Sequence, residues 1–261
     1  MDIKLNINKI KKNLNEGKVV YGTCINSFNP SIIEIAGFCG LDWCRIDNEH
    51  AWRQDSSLEN CIRGAVIGNI LPIVRIERGD MELIKKVLEI GAGGFVIPHV
   101  ERSEEVEEIV AAAKFPPLGT RGFSNRGFSG CHGVVKPTKE FIDWSNESLV
   151  GVMIETKESV ENIDEIMKVK GLDFVLFGPS DYSLSIGLEA PNWNHPEVQE
   201  AIKRTGKFAK KHGKYAMIPI GSPWKENSKK YIEMGYSLIE LGADYTLLAG
   251  AWKEGLKELK S

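Results

Sequence analysis

The 261-residue sequence lacks several features, and each absence excludes a class of protein. No apolar run approaches the roughly 20 residues that a membrane-spanning helix needs, so no membrane partner is expected. The opening MDIKLNINKI has no continuous apolar stretch of the signal-peptide kind, which makes a cytoplasmic location the expectation. Charge of neither sign dominates: 33 basic and 36 acidic residues leave a formal net charge of -3. Lys9, Lys11 and Lys12 form one short basic spot that reads as a solvated helix face, so nucleic acid is not an expected partner. Cysteine is sparse, with five residues at 24, 39, 44, 61 and 131 and no CxxC pairing, which favours reduced core thiols. No linker or shift in composition divides the chain. One domain spanning 1–261 is expected, a size that buries a full core.

What is present is a repeated unit, clearest in LVGVMIET…GLDFVLFGPSD, residues 149–181. Two short apolar runs, 149–154 and 174–177, each end on a carboxylate-bearing turn, at Glu155 and Asp181. Between them 157–168 is charged, with Val160, Ile163, Ile166 and Met167 at helical spacing. That reads as strand, helix, strand. A right-handed crossover makes the strands parallel and brings both acids to the same end of the sheet. Two such acids suit a hard divalent cation, or else they are simply turn and cap acids.

The same unit recurs along the chain. A short helix over 7–15 is placed to cover the bottom of a barrel. Strands are expected at 19–25, 41–46, 71–76, 94–97, 149–154, 174–177, 215–220 and 236–241. Helices are expected between them, one beginning at a Ser56–Glu59 capping box and one capped by Asp80. The glycine-rich segment 118–136 has no clear period and reads as a long functional loop over the top of the sheet. Residues 245–259 form a final helix. Eight units predict a closed (β/α)8 TIM barrel, with an open doubly wound sheet as the competitor.

In a barrel the polar residues gather at one end. Asp47, Glu49 and His50 follow strand two, Arg75 closes strand three, and Glu155 and Asp181 follow strands five and six. His50, alone among acids, is the best candidate general acid or base. Arg75 in an apolar run is either a structural ion-pair member or a clamp for a substrate carboxylate.

The stretches GLDWCRIDNEH, IVRIERGD, AKFPPLGTRG, VMIET and FGPSDYSLSIG resemble the class II pyruvate aldolases of the 4-hydroxy-2-oxoheptanedioate and 2-dehydro-3-deoxyglucarate type, the HpcH/HpaI family. The resemblance runs from about Gly17 into the final helix. It implies that Glu155 and Asp181 bind Mg²⁺ or Mn²⁺, with Co²⁺ a further candidate. It also implies that Arg75 contacts pyruvate, that His50 is the base assisted by Asp47, and that the turn Gly178-Pro179-Ser180 offers a backbone N–H to the pyruvate carboxylate. The family's final helix is usually exchanged between neighbours in a hexamer, a trimer of dimers. Departures from the family pattern fall at Cys24 and Asn26, in the loop with Arg121, Arg126 and His132, and at PIGSPW with Trp224. These positions are expected to form the pocket for the aldehyde. No lysine stands where a Schiff base would need one. Alternatives are another metal-dependent C–C lyase, of the oxaloacetate decarboxylase or citramalyl-CoA lyase type, and a ligand-binding barrel without turnover. A thioester lyase should carry a basic patch for CoA phosphates, and the sequence has none.

Overall fold

A computed structural model describes residues 3–51, 56–136 and 138–260. Eight strands close into one parallel barrel in sequence order: β1 Val20–Ile25, β2 Trp43–Asp47, β3 Leu71–Arg75, β4 Gly94–Ile97, β5 Leu149–Ile154, β6 Phe174–Phe177, β7 Tyr215–Ile220 and β8 Leu238–Ala243. The expected barrel is observed, and β1 pairs with β8 to complete it.

Alternation along each strand explains the closure. One set of side chains, including Trp43, Leu71, Val96, Leu149, Phe174 and Leu238, fills the barrel interior. The other set, including Ile46, Val74, Phe95, Val152, Val175 and Ile239, packs outward on the helices. Two large interior rings fit because their neighbours lack side chains. A Cβ at Gly22 would stand 2.2 Å from the Trp43 ring, and one at Gly151 would stand 2.2 Å from the Phe174 ring. The first helix, α1 (Ile3–Asn15), lays Ile7, Ile10 and Leu14 on this interior cluster and closes the amino-terminal end, as its position in the sequence suggests.

The connecting helices follow in order: α2 Pro30–Phe38, α3 Ser57–Ile67, α4 Met81–Glu89, α5 Ser103–Ala113 and α6 Lys139–Ser145. After β5 come α7 Lys157–Glu161 and α8 Ile163–Lys168, and after β6 come α9 Pro179–Ser185 and α10 Pro196–Lys211. The last two are α11 Trp224–Glu233 and α12 Asp244–Lys260. Asp80 caps α4, its side chain accepting from the Leu83 N–H at 3.1 Å, whereas Ser56 makes no side-chain cap bond. The single helix expected over 157–168 is broken at Asn162, whose amide donates to the Glu101 carbonyl at 2.9 Å instead of remaining solvated on a helix face.

The loop before α6 does not lie over the carboxyl ends of the strands, where it was expected. Arg121 lines one small cavity with Ile7, Leu88, Ala92 and Ser148, and the last two lie just before β4 and β5. Gly127 lies so close to the Glu89 carbonyl that a Cβ would stand 2.3 Å from it. The loop thus wraps the amino-terminal end of the barrel, pinned by Thr120 N–H to the Ala111 carbonyl and Arg121 N–H to the Lys114 carbonyl.

Candidate active site

The carboxyl ends of β1 to β6 carry a connected set of polar side chains. Its hub is Asp47, the last residue of β2, which the sheet register sets beside Arg75, the last residue of β3. Arg75 donates from Nε to Asp47 Oδ1 at 2.9 Å and from Nη2 to Oδ2 at 2.5 Å. Its third nitrogen, Nη1, lies 2.9 Å from Glu49 Oε2. Asp47 also accepts from the backbone N–H groups of Glu49 and His50 and from Asn26 Nδ2 at 3.1 Å. Burial alone would raise the Asp47 carboxyl; the Arg75 hydrogen bonds and charge, helped by Arg45, outweigh it and hold the group at about 2.

From Glu49 the set continues across the barrel mouth. Its carboxylate lies 3.8 Å from His50 Nε2 and 3.7 Å from His99 Nε2. His99 follows β4, and its backbone N–H donates to Glu155 Oε1 at 2.7 Å, with the ring Nδ1 3.4 Å from the same oxygen. Glu155 is 1% exposed. Burial, opposed by the His99 N–H and ring and reinforced by Asp181 and Glu49, pushes its carboxyl up to about 7. A buried carboxylate facing two further acids is an environment that a cation would relieve. Asp181 stands in the first turn of α9, half-buried, not in an open turn as the sequence suggests.

These acids fit a hard dication, with one qualification of number. Among the described residues no group of three or more His, Cys, Asp or Glu side chains is arranged to hold a metal ion. Glu155 and Asp181 would therefore supply two oxygen ligands, leaving the others to water and substrate, as Mg²⁺ sites commonly do.

The Gly178-Pro179-Ser180 turn needs correction. The Gly178 N–H donates to the Ile154 carbonyl at 3.1 Å, and Pro179 has no N–H. The next N–H groups along the chain, those of Ser180 and Asp181, lie in the first turn of α9, where helix N–H groups have no intrahelical acceptor. Gly178 serves through its size, since a Cβ there would stand 2.5 Å from Glu155 Oε2.

Beside this set, over β1, β7 and β8, lies a cavity of about 930 Å³ whose lining includes Cys24, Asn26, Asp47, Trp193 and Trp224. Of the residues expected to form the aldehyde pocket, Cys24, Asn26 and Trp224 line this cavity. Burial pushes the Cys24 thiol up to about 12, so it lines the wall as a neutral group. Trp193 is an addition, its indole N–H donating to Ser180 Oγ at 3.0 Å. Arg121, Arg126 and His132 are not part of this cavity. Arg121 is buried over the Phe115 ring at 4.7 Å, and Arg126 and His132 flank Ile90 and Phe128 at the other end of the chain's own barrel. Burial lowers Arg121 to about 10, partly opposed by Glu89.

The sequence did not reveal the Arg75–Glu49 contact, the His99–Glu155 bond or an interior ion pair between Arg45 and Glu240. The charges of Arg45 within β2 and Glu240 within β8 were the visible signals for that pair, but the two lie 195 positions apart.

A closed parallel barrel with two acids, an arginine and a histidine at its strand exits has the arrangement in which barrel enzymes carry their chemistry. The sequence profile of the HpcH/HpaI aldolase/citrate lyase family matches residues 21–251. The 5-keto-4-deoxy-D-glucarate aldolase of Escherichia coli O6:H1 is 32% identical over 245 residues, 94% of this chain and 93% of that one. The structure of an HpcH/HpaI aldolase from Desulfitobacterium hafniense superposes with a TM-score of 0.87 at 31% identity, covering 96% of both chains. That of the citrate synthase SbnG does so with a TM-score of 0.83 at 30% identity, again over 96% of both. The chain belongs to the HpcH/HpaI aldolase/citrate lyase family. It is accordingly a class II aldehyde-lyase, of a family that generally depends on a divalent metal.

Proposed function

We propose that the protein cleaves, and in reverse forms, 4-hydroxy-2-oxo acids from pyruvate and an aldehyde, using a divalent metal held by Glu155 and Asp181. The observation that carries this reading is the Asp47–Arg75–Glu49 grouping together with the buried Glu155, all at the carboxyl ends of β2, β3 and β5. Mg²⁺ or Mn²⁺ suits an all-oxygen ligand set, with Co²⁺ a further candidate. When bound, the ion supplies Lewis-acid polarisation to the oxygens of the 2-oxo acid.

The chain's own residues do the rest. Asp47 locks two nitrogens of Arg75, so Nη1 is the one free to exchange Glu49 for a substrate carboxylate or keto oxygen. In cleavage, His50, directly or through one water, accepts the proton of the 4-hydroxyl. The C3–C4 bond breaks with its electron pair on C3, the former hydroxyl oxygen becomes the aldehyde carbonyl, and C3 then takes up a proton to complete pyruvate. His50 suits this task because its ring is 64% exposed at the mouth while its backbone N–H donates to Asp47 and fixes the chain there. Ser180 and Asp181 offer N–H groups to the pyruvate carboxylate.

Two further features accompany this reading. α12 contributes only Asp244 to the buried residues of its own chain and leaves Tyr245, Leu247, Leu248, Trp252, Leu256 and Leu259 exposed, which suits exchange between subunits in a hexamer of three dimers. No helix among the described residues is long and apolar enough to cross a membrane, which accords with a cytoplasmic enzyme. The test is a panel of aldehydes with pyruvate, assayed in both directions on chelator-treated protein with and without Mg²⁺, Mn²⁺ or Co²⁺. Metal-restored turnover is expected. Turnover indifferent to chelation and metal would defeat the reading.

A further inference from the structure

One charged pair inside the barrel has no part in the reaction as described. Arg45 points inward from β2 and Glu240 from β8, and β1 runs between those strands. The guanidinium grips the carboxylate with two bonds, Nε to Oε2 at 2.7 Å and Nη2 to Oε1 at 2.8 Å. Both residues are over nine-tenths buried, at 7% and 2% exposure. The remaining nitrogen, Nη1, is buried and has no hydrogen-bond partner among the described residues.

Stability does not account for such a pair, because well-packed apolar residues in its place generally hold a fold at least as well. An orphaned donor on a charged group is a further cost. The pair does, however, line the large cavity, Arg45 standing two residues before Asp47 on the same side of β2. Arg45 and Glu240 share the lining of that space with Asn26, Trp193 and Trp224, and the unpartnered Nη1 leaves the guanidinium one bond short beside it.

We propose that Arg45 is a specificity-determining residue for the aldehyde, its Nη1 donating to an oxygen that the aldehyde carries beyond its reacting carbon, and that Glu240 is the positioning residue that aims it. The proposal rests on the aldolase reading above. A hydroxyl and a carboxylate present the same accepting oxygen, so the experiment separates them.

The readout is the ratio of kcat/KM for glyceraldehyde, and for succinic semialdehyde, to that for propanal, each with pyruvate and metal. Taking ratios cancels any general loss of activity. The paired variant Arg45→Leu/Glu240→Leu leaves no lone buried charge, and it should lower at least one ratio by about ten- to a hundredfold. The ratio that falls identifies hydroxyl or carboxylate as the recognised group. Should the paired variant not fold, Arg45→Lys keeps the ion pair but removes the second Nη, and the same fall is expected. Both ratios within twofold of wild type, in whichever variant folds, would overturn the proposal. Exchange of pyruvate methyl protons in D₂O, followed by NMR on the wild type without aldehyde, reports the parent reading separately. Its absence would overturn that reading and this proposal with it.

Discussion

Gly178 and Glu155 share a space that admits no further atom: a Cβ on residue 178 would stand 2.5 Å from Glu155 Oε2 and 2.8 Å from Glu155 Cβ. Gly178 has φ of -100°, which any residue adopts, so the requirement is one of room and not of backbone freedom. Gly178→Ala should therefore displace Glu155 while leaving the barrel folded. Mn²⁺ affinity, read by electron paramagnetic resonance, is expected to drop at least tenfold with far-UV circular dichroism unchanged. Wild-type affinity in this variant would mean that Glu155 does not bind the ion.

Glu155→Gln and Asp181→Asn keep size and remove charge. Each should weaken Mn²⁺ binding and turnover together, with the greater effect at Glu155, the more buried of the two. Full metal dependence retained in either variant would remove that residue from the ligand set. Loss of thermal stability without loss of affinity would identify a purely structural acid.

Arg75→Lys keeps a positive charge but loses the planar fork that engages Asp47 at two atoms and Glu49 at a third. Pyruvate KM should rise and kcat fall by about tenfold or more, because a point charge cannot satisfy Asp47 and substrate together. A second readout is acid stability. The folded Asp47 carboxyl, at about 2, lies below its unfolded value, so its contribution is complete above the unfolded pKa and is lost as pH falls from near 4 toward 2. That contribution is on the order of 2 kcal/mol. Arg75→Met removes its principal source, so acid unfolding monitored by tryptophan fluorescence should begin at higher pH than in wild type. Coincident acid transitions would show that Asp47 does not depend on Arg75.

His50→Ala should retain Mn²⁺ and pyruvate binding while aldol cleavage falls by about 10²–10⁴. Pyruvate proton exchange should fall less, since that half-reaction involves no 4-hydroxyl. An unaltered pH–rate profile for cleavage in His50→Ala at saturating metal would take His50 out of the mechanism.

The barrel was legible because its evidence is local. Each apolar run announces its strand, and residues such as Gly91 and Pro196 punctuate the helices between them. The site residues at strand exits were legible for the same reason: Asp47, Arg75 and Glu155 each end or directly follow an apolar run. What the sequence concealed depends on register and on the path of a loop. The Arg45–Glu240 pair requires closure of β8 on β1, and nothing near either residue signals the other. The loop with Arg121, Arg126 and His132 has the composition of a binding loop. Its path toward the amino-terminal end is set by backbone bonds to α5 and by close contact with the end of α4, which composition does not encode. The Gly178 N–H likewise looked available until the turn of chain placed it under the Ile154 carbonyl.

α1 seals the far end of the barrel with Ile7, Ile10 and Leu14, so among the described residues the approach to the site lies at the carboxyl ends of the strands, and reactants share that one side. For reactants held as proposed, traffic from one side imposes a sequence. Pyruvate, gripped by Arg75 and by the first turn of α9, must enter before an aldehyde fills the cavity beside it, and in cleavage the aldehyde must depart first. On the same reading, the aldehyde's departure would open the site to the solvent from which C3 takes its final proton.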